Sequence, residues 1–181
     1  MPHTKPESST SPVLIIIMGV SGSGKSSVAQ ALAQHYQYHF YDADDFHSNE
    51  AKALMAAGTA LSDEHRAPWV HNISAFLTDC AERKQSCTLA FSGLRHAHRD
   101  VLRQLPFQTL FLHLEGSKAV IGARMNARSN HFMPTSLLDS QFDSLEPCEN
   151  EQDIIPIDIS KPLAEVIHDC KQTINAKLSE H

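Results

Sequence analysis

The sequence predicts a three-layer α/β/α fold around a five-stranded, mostly parallel sheet, and three observations carry that expectation. Five short apolar runs alternate along the chain with longer stretches of helical periodicity, the pattern of strands joined by crossover helices. The first run, Val13-Leu14-Ile15-Ile16-Ile17-Met18, is unbroken and rich in β-branched residues, as expected of a strand covered on both faces. It leads into Gly19-Val20-Ser21-Gly22-Ser23-Gly24-Lys25-Ser26, which meets the phosphate-binding pattern G-x-x-x-x-G-K-[ST] at every fixed position.

That loop reads as a nucleotide site on physical grounds. Its glycines permit positive φ and, lacking a Cβ, let main-chain N–H groups close around phosphate oxygens. Lys25 brings a mobile positive charge for the β- and γ-phosphates, Ser26 a hydroxyl for Mg²⁺, and the following helix points its positive end at the anion. The candidate nucleotide-binding residues are therefore Gly19, Val20, Ser21, Gly22, Ser23, Gly24, Lys25, Ser26 and Ser27. Glycine-rich turns also join strands to helices where no ligand binds; the fixed positions together with the strand before and the helix after set this one apart.

Residues 1–12 are polar and proline-bearing and are expected to form a loose, disordered tail, with a single domain over residues 13–181. Residues 27–36 form the first helix, with Val28, Leu32 and Tyr36 four apart. Tyr38-His39-Phe40-Tyr41 is a second strand, ending in Asp42-Ala43-Asp44-Asp45, where open α/β sheets place their ligands. Residues 48–57 are alanine-rich and helical, closed by Gly58. A further helix is capped near Ser62 or Asp63, carries Pro68 in its first turn, and repeats Trp69, Ile73, Phe76 and Cys80 on one face as core.

Cys87-Thr88-Leu89-Ala90-Phe91 is the third strand, followed by Ser92-Gly93-Leu94-Arg95 and a helix that Pro106 stops. Thr109-Leu110-Phe111-Leu112-His113-Leu114 is the fourth. Helices are expected over 118–128, with Arg124 and Arg128 four apart, and over 135–145. The last strand, 154–159, contains Pro156 and so demands an edge position or a bulge. The final helix, 162–178, presents Leu163, Val166, Ile167, Cys170, Ile174 and Leu178 on one face.

Composition narrows the function classes. With 181 residues, 41% of them hydrophobic, the chain can bury one sizeable core. A formal charge of −6 argues against a broad nucleic-acid or anionic-membrane surface and suits small-metabolite binding. The 4 cysteines show no C-x-x-C pair and read as reduced thiols; the 12 histidines show no ligand spacing. No apolar run is long enough to span a bilayer, and the default expectation is a cytoplasmic protein.

With these pieces in place, the chain resembles the small P-loop gluconokinases, similar in fold to shikimate and nucleoside-monophosphate kinases. Beyond the loop, the resemblance rests on Asp42-Ala43-Asp44-Asp45-Phe46-His47, on Leu61-Ser62-Asp63-Glu64-His65-Arg66-Ala67-Pro68-Trp69, on Ser92-Gly93-Leu94-Arg95 with Arg99-Asp100, and on His131-Phe132-Met133-Pro134 leading to Ser140-Gln141-Phe142 and Leu145-Glu146-Pro147. It implies a kinase that moves the γ-phosphoryl group of ATP, with Mg²⁺, to the 6-hydroxyl of D-gluconate, a homodimer, and a small helical lid over about residues 124–145. Lys25, Asp44, Arg124 and Arg128 would be catalytic, Asp44 accepting the hydroxyl's proton and the two arginines closing over the transferring phosphate. Ser26 and Asp42 would serve the metal, and Asp44, His47, Arg66, Ser92, Arg95, Arg99 and His131 the sugar acid. The segment 158–162 resembles the lining of the adenine pocket.

Alternatives remain beside each role. Asp42 or Asp45 can equally end a strand or cap a helix, and the arginines can be solvated. The chain departs from the family pattern at Ala51 and Leu54, where Asn and Lys are usual, at Ala60 in place of a proline, and at Ser92-Gly93-Leu94-Arg95 in place of Ser-Ala-Leu-Lys. If 51 and 54 face the acceptor, the substrate becomes another sugar acid or polyol. The remaining alternative is a catalytically idle nucleotide-binding protein.

Overall fold

β1 (Val13–Met18) occupies the middle of a five-stranded parallel sheet of order β2-β3-β1-β4-β5. The structure is a computed structural model and describes residues 11–127 and 135–180. The other strands are β2 (His39–Asp42), β3 (Cys87–Ala90), β4 (Gln108–Glu115) and β5 (Ile154–Asp158). The helices are α1 (Lys25–Tyr36), α2 (Asn49–Ala56), α3 (Asp63–Glu82), α4 (His96–Arg103), α5 (Lys118–Ala127), α6 (Thr135–Ser144) and α7 (Leu163–Leu178).

The apolar run of β1 is buried because both of its faces are covered. Ile15 and Ile17 pack with Val28 and Leu32 of α1 and with Val166, Cys170 and Ile174 of α7. Leu14, Ile16 and Met18 pack on the opposite face with Trp69, Val70, Ile73 and Leu77 of α3 and Leu102 of α4. Alternate side chains of one strand therefore feed two cores, which is the three-layer arrangement. Pro156 lies in β5, an edge strand, where its missing N–H costs no ladder bond on the outer side.

Several expectations shift. α1 starts at Lys25, so the helix begins inside the phosphate-binding motif. Pro68 lies inside α3, past its first turn, because a capping box at Ser62 with His65 begins the helix early; Pro68 and Glu64 are both exposed, so water can take the freed Glu64 carbonyl. Leu163 is 41% exposed at the start of α7, which docks through Val166, Cys170 and Ile174. Pro12, assigned to the tail, already accepts a hydrogen bond from Gln108 N–H at 2.8 Å. All four cysteines are free thiols, as expected. Among the described residues no helix is long and apolar enough to cross a membrane.

Candidate active site

The carboxyl ends of the strands converge where β1 has β3 on one side and β4 on the other, the point at which open α/β sheets bind ligands. The loop after β1 turns through Gly19 (φ 150°), whose N–H donates to the Ser92 carbonyl at 3.2 Å. A Cβ at Gly19 would stand 2.7 Å from Ser23 Oγ and 3.0 Å from the Leu114 carbonyl, so only glycine fits there. Gly24 (φ 96°) is the N-cap of α1 and gives it no side-chain cap, which leaves first-turn N–H groups of the helix facing the loop. Ser23 is fully buried and its hydroxyl has no partner among the described residues.

Lys25 Nζ donates to the Val20 carbonyl at 3.1 Å. Burial pushes its pKa down, and the neighbouring Asp44 and Asp42 pull it back up. Ser26 Oγ donates to Asp42 Oδ2 at 2.6 Å, and the other oxygen of Asp42 accepts the Asp44 N–H at 3.0 Å. A hydroxyl and a carboxylate side by side at the phosphate loop are hard oxygen donors suited to Mg²⁺, which needs few protein ligands when phosphates supply the rest. Among the described residues no group of three or more His, Cys, Asp or Glu is placed to hold a metal ion.

Asp44 is the second residue of a single 3-10 turn (Ala43–Phe46) with Asp42 as its cap. Its side chain is 77% open to solvent, but that solvent fills a cleft walled by protein. Burial within those walls raises its pKa above the usual carboxylate range; Lys25 opposes, and the like charges of Asp42 and Asp45 add to the rise. The open side screens part of this effect.

The cleft has a volume of about 380 Å³ and is lined by Lys25 of the phosphate loop together with Asp44, His47, Arg66, Ser92 and Gln141 among others. His47 is buried, stacks on Trp69 at 4.3 Å between ring centroids, and has its pKa lowered to about 4 by burial and then by Arg66 and Lys52. Arg66 is 8% exposed; its closest acid, Asp63, stands 3.8 Å away and is already held by Arg95 through two hydrogen bonds of 3.2 Å. Trp69 Nε1–H donates to the Ala43 carbonyl at 2.6 Å and so fixes the turn that carries Asp44.

The structure brings most of the expected residues together, with exceptions. Arg95 points to Asp63 and Glu146 and does not line the cleft. Arg99 is fully buried: it pairs with Glu151, donates to the Glu146 carbonyl at 2.8 Å and touches Cys148 Sγ at 3.0 Å. It therefore braces α4 against the 146–151 loop, and its guanidinium does not reach the acceptor space. Arg124 stands over the loop–helix junction, its Nη1 3.8 Å from where a Gly24 Cβ would be. Its Nη2 donates to the carbonyls of Ile159 and Lys161, in the segment expected to line the adenine pocket. Arg128 and His131 lie outside the described residues.

Among the cleft residues that the sequence did not mark as site residues are Lys52 of α2, Trp69, and Gln141 of α6, whose Oε1 accepts the Ser21 N–H at 2.6 Å. A larger cavity of about 600 Å³, lined by Val20, His113, Ile121, Phe142 and Asp158 among others, contains neither Lys25 nor Asp44 nor Arg66 and is separate from this cleft.

A phosphate-binding loop at the switch point of this sheet, opening onto a cleft with a lysine, an acid and a buried arginine, defines the class: a P-loop kinase fold. Residues 14–148 match the AAA domain family. The chain is 36% identical to the probable gluconokinase of Xenopus tropicalis, over 92% of this chain and 95% of that one. It is 39% identical to the thermosensitive gluconokinase of Escherichia coli K12, covering 89% and 87%. The crystal structure of a gluconokinase from Sinorhizobium meliloti 1021 superposes with a TM-score of 0.82 at 35% identity, over 95% of this chain and 99% of that one. The chain belongs to the gluconokinase family.

Proposed function

We propose that this chain transfers the γ-phosphoryl group of ATP to the 6-hydroxyl of D-gluconate, giving 6-phosphogluconate and ADP. The observation that carries the reading is that Lys25 of the phosphate loop and Asp44, His47 and Arg66 line one continuous cleft, so a nucleotide tail and an alcohol can meet in it. The relatives' names supply the acceptor, and a cation-bearing cleft fits a sugar acid.

Phosphoryl transfer depends mainly on positioning and charge neutralisation. The loop amides of residues 19–27 and Lys25 hold the phosphates; Lys25 leaves the Val20 carbonyl, which it holds here, to do so. Ser26 and Asp42 would hold Mg²⁺, which supplies charge neutralisation on the β- and γ-oxygens when bound. Asp44 accepts the proton of the 6-hydroxyl as its oxygen bonds to phosphorus and the bond to the β–γ bridging oxygen breaks, a task that a raised carboxyl pKa suits. Arg66 grips the acceptor, His47 remains neutral and donates or accepts a hydrogen bond, and Arg124 attends the nucleotide from the rim.

The same reading takes residues 124–145 as the lid, residues 13–181 as one kinase domain, and the chain as a cytoplasmic homodimer; sedimentation equilibrium tests the last point, with twice the mass of one chain expected and the mass of a single chain overturning it. The activity is tested by following ADP release with gluconate and a panel of other sugar acids and polyols, and by locating the phosphate on the product by ³¹P–¹H NMR. Phosphate on O6 of gluconate supports the reading. Better turnover of another acceptor, or ATP binding with no acceptor-dependent ADP release, overturns it.

A further inference from the structure

The departures at Ala51 and Leu54 raise the question of what replaces their polar groups in this chain. Ala51 is 4% exposed, packed inward, and its N–H is taken by the Ser48 cap, while Leu54 is absent from the cleft lining. The residues of α2 that do line the cleft are Lys52, Met55 and Ala56, spaced i, i+3 and i+4, which is one stripe of a helix. The helix thus turns a lysine toward the acceptor space from a position one residue along from Ala51.

The cleft's charges leave that lysine a clear task. Its lining cations are Lys25, Lys52 and Arg66, and its lining acids Asp44 and Asp45. Lys25 belongs to the phosphate loop. The acid nearest Arg66 is already gripped by Arg95. Among the described residues Lys52 forms no ion pair, yet its charge is felt by both Asp44 and His47, which places it inside the electrostatic field of the site. An exposed ammonium and a buried guanidinium lining one cleft can act as a two-point receptor for a carboxylate.

We propose that Lys52, with Arg66, binds the carboxylate of the acceptor and so selects an acid over the corresponding neutral polyol. The inference rests on the gluconokinase reading above. Lys52 reads the end of the substrate remote from the reacting hydroxyl, so its contact is equal in ground and transition states and appears in KM.

The test compares gluconate with its neutral amide, gluconamide, as substrate or, where turnover is slow, as competitor, at saturating ATP. Wild type, Lys52→Ala and Lys52→Arg are measured, each with a thermal melt. Lys52→Ala is expected to raise KM for gluconate about 10- to 100-fold, the worth of a charge-assisted hydrogen bond, with kcat within about 2-fold. Its effect on gluconamide is expected to stay within about 2-fold, and Lys52→Arg restores most of the gluconate affinity. An equal loss on both acceptors, or a fall in kcat alone, means that Lys52 acts through Asp44 or the fold, and overturns the proposal; no loss on either also overturns it. A wild-type protein that transfers nothing to gluconate overturns the parent reading instead, and this inference with it.

Discussion

Replacing Arg99 with Met removes a guanidinium that has no solvent contact and leaves its partners in place. The side chain pairs with Glu151 and donates to the Glu146 and Leu94 carbonyls, tying α4 to the loop that returns beneath it. Breaking a buried pair by removing one partner costs roughly 3–5 kcal/mol. Glu151, itself only 8% exposed, keeps Arg103 at 2.6 Å and His96 at 3.1 Å, so the loss falls at the lower end, about 3 kcal/mol. For a chain of this size that lowers Tm by about 6–12 °C. Urea and thermal melts measure the stability, and KM for gluconate, taken well below the melt, reads the site. The expected outcome is a large loss of stability with KM within about 2-fold. A Tm within about 2 °C of wild type together with a KM raised tenfold or more would mean that Arg99 reaches the substrate, and the reasoning would fail.

Asp44→Asn is expected to lower kcat by about 10²–10⁴-fold while ATP affinity, followed by calorimetry, stays within a few-fold; near-normal kcat removes Asp44 from the proton-accepting role. Gly19→Ala places a Cβ 2.7 Å from Ser23 Oγ at a φ of 150°, so it should cost about 1–3 kcal/mol and most of the nucleotide affinity, read by a melt with and without ATP. His47 has a folded pKa of about 4 against an unfolded value of about 6.5, so it is neutral in both states above pH 6.5 and its contribution there is complete. As pH falls from 6.5 toward 4 the unfolded chain takes the proton first and stability drains, by at most about 3 kcal/mol. Urea melts across that range should show a shallower decline for His47→Gln than for wild type, and parallel curves would refute it.

What the sequence made legible was whatever is written in local order. The apolar run of β1, the phosphate loop and the edge proline of β5 each carry their own period or motif, and each lands where expected. Arg99 illustrates what is not so written. An arginine looks the same in sequence whether it faces a substrate or a core, and what decides is Glu151, 52 residues away. Arg95 is likewise settled by Asp63, 32 residues earlier. Lys52 carries no local mark of a site residue; the rotation of α2 about its axis, which only its tertiary docking fixes, buries Ala51 and sets the exposed Lys52 on the cleft. The first-turn expectation for Pro68 failed on a cap, since the reciprocal Ser62–His65 contact starts α3 before the proline can.

Trp69 joins the two kinds of information. Its place in an apolar stripe of period 3.6 marks it as core, and it does pack on Phe91 at 5.2 Å between centroids. Its indole N–H, however, reaches the Ala43 carbonyl, one residue before Asp44, while Asp42 on the other side of Ala43 commits one oxygen to Ser26 and the other to the Asp44 N–H. The turn is thus pinned from α3 by one hydrogen bond and from the phosphate-binding motif by one, and the Asp44 N–H closes it on Asp42 from within. The two acids are therefore not equivalent: both oxygens of Asp42 accept hydrogen bonds, from Ser26 and from the Asp44 N–H, and on the proposed reading Mg²⁺ takes the Ser26 side, whereas Asp44 is held by its backbone and leaves its carboxylate open to the cleft. On the reading proposed above, that division keeps the proton acceptor beside the phosphate cradle without using its own oxygens to hold it there, which suits an in-line transfer between two separately bound substrates.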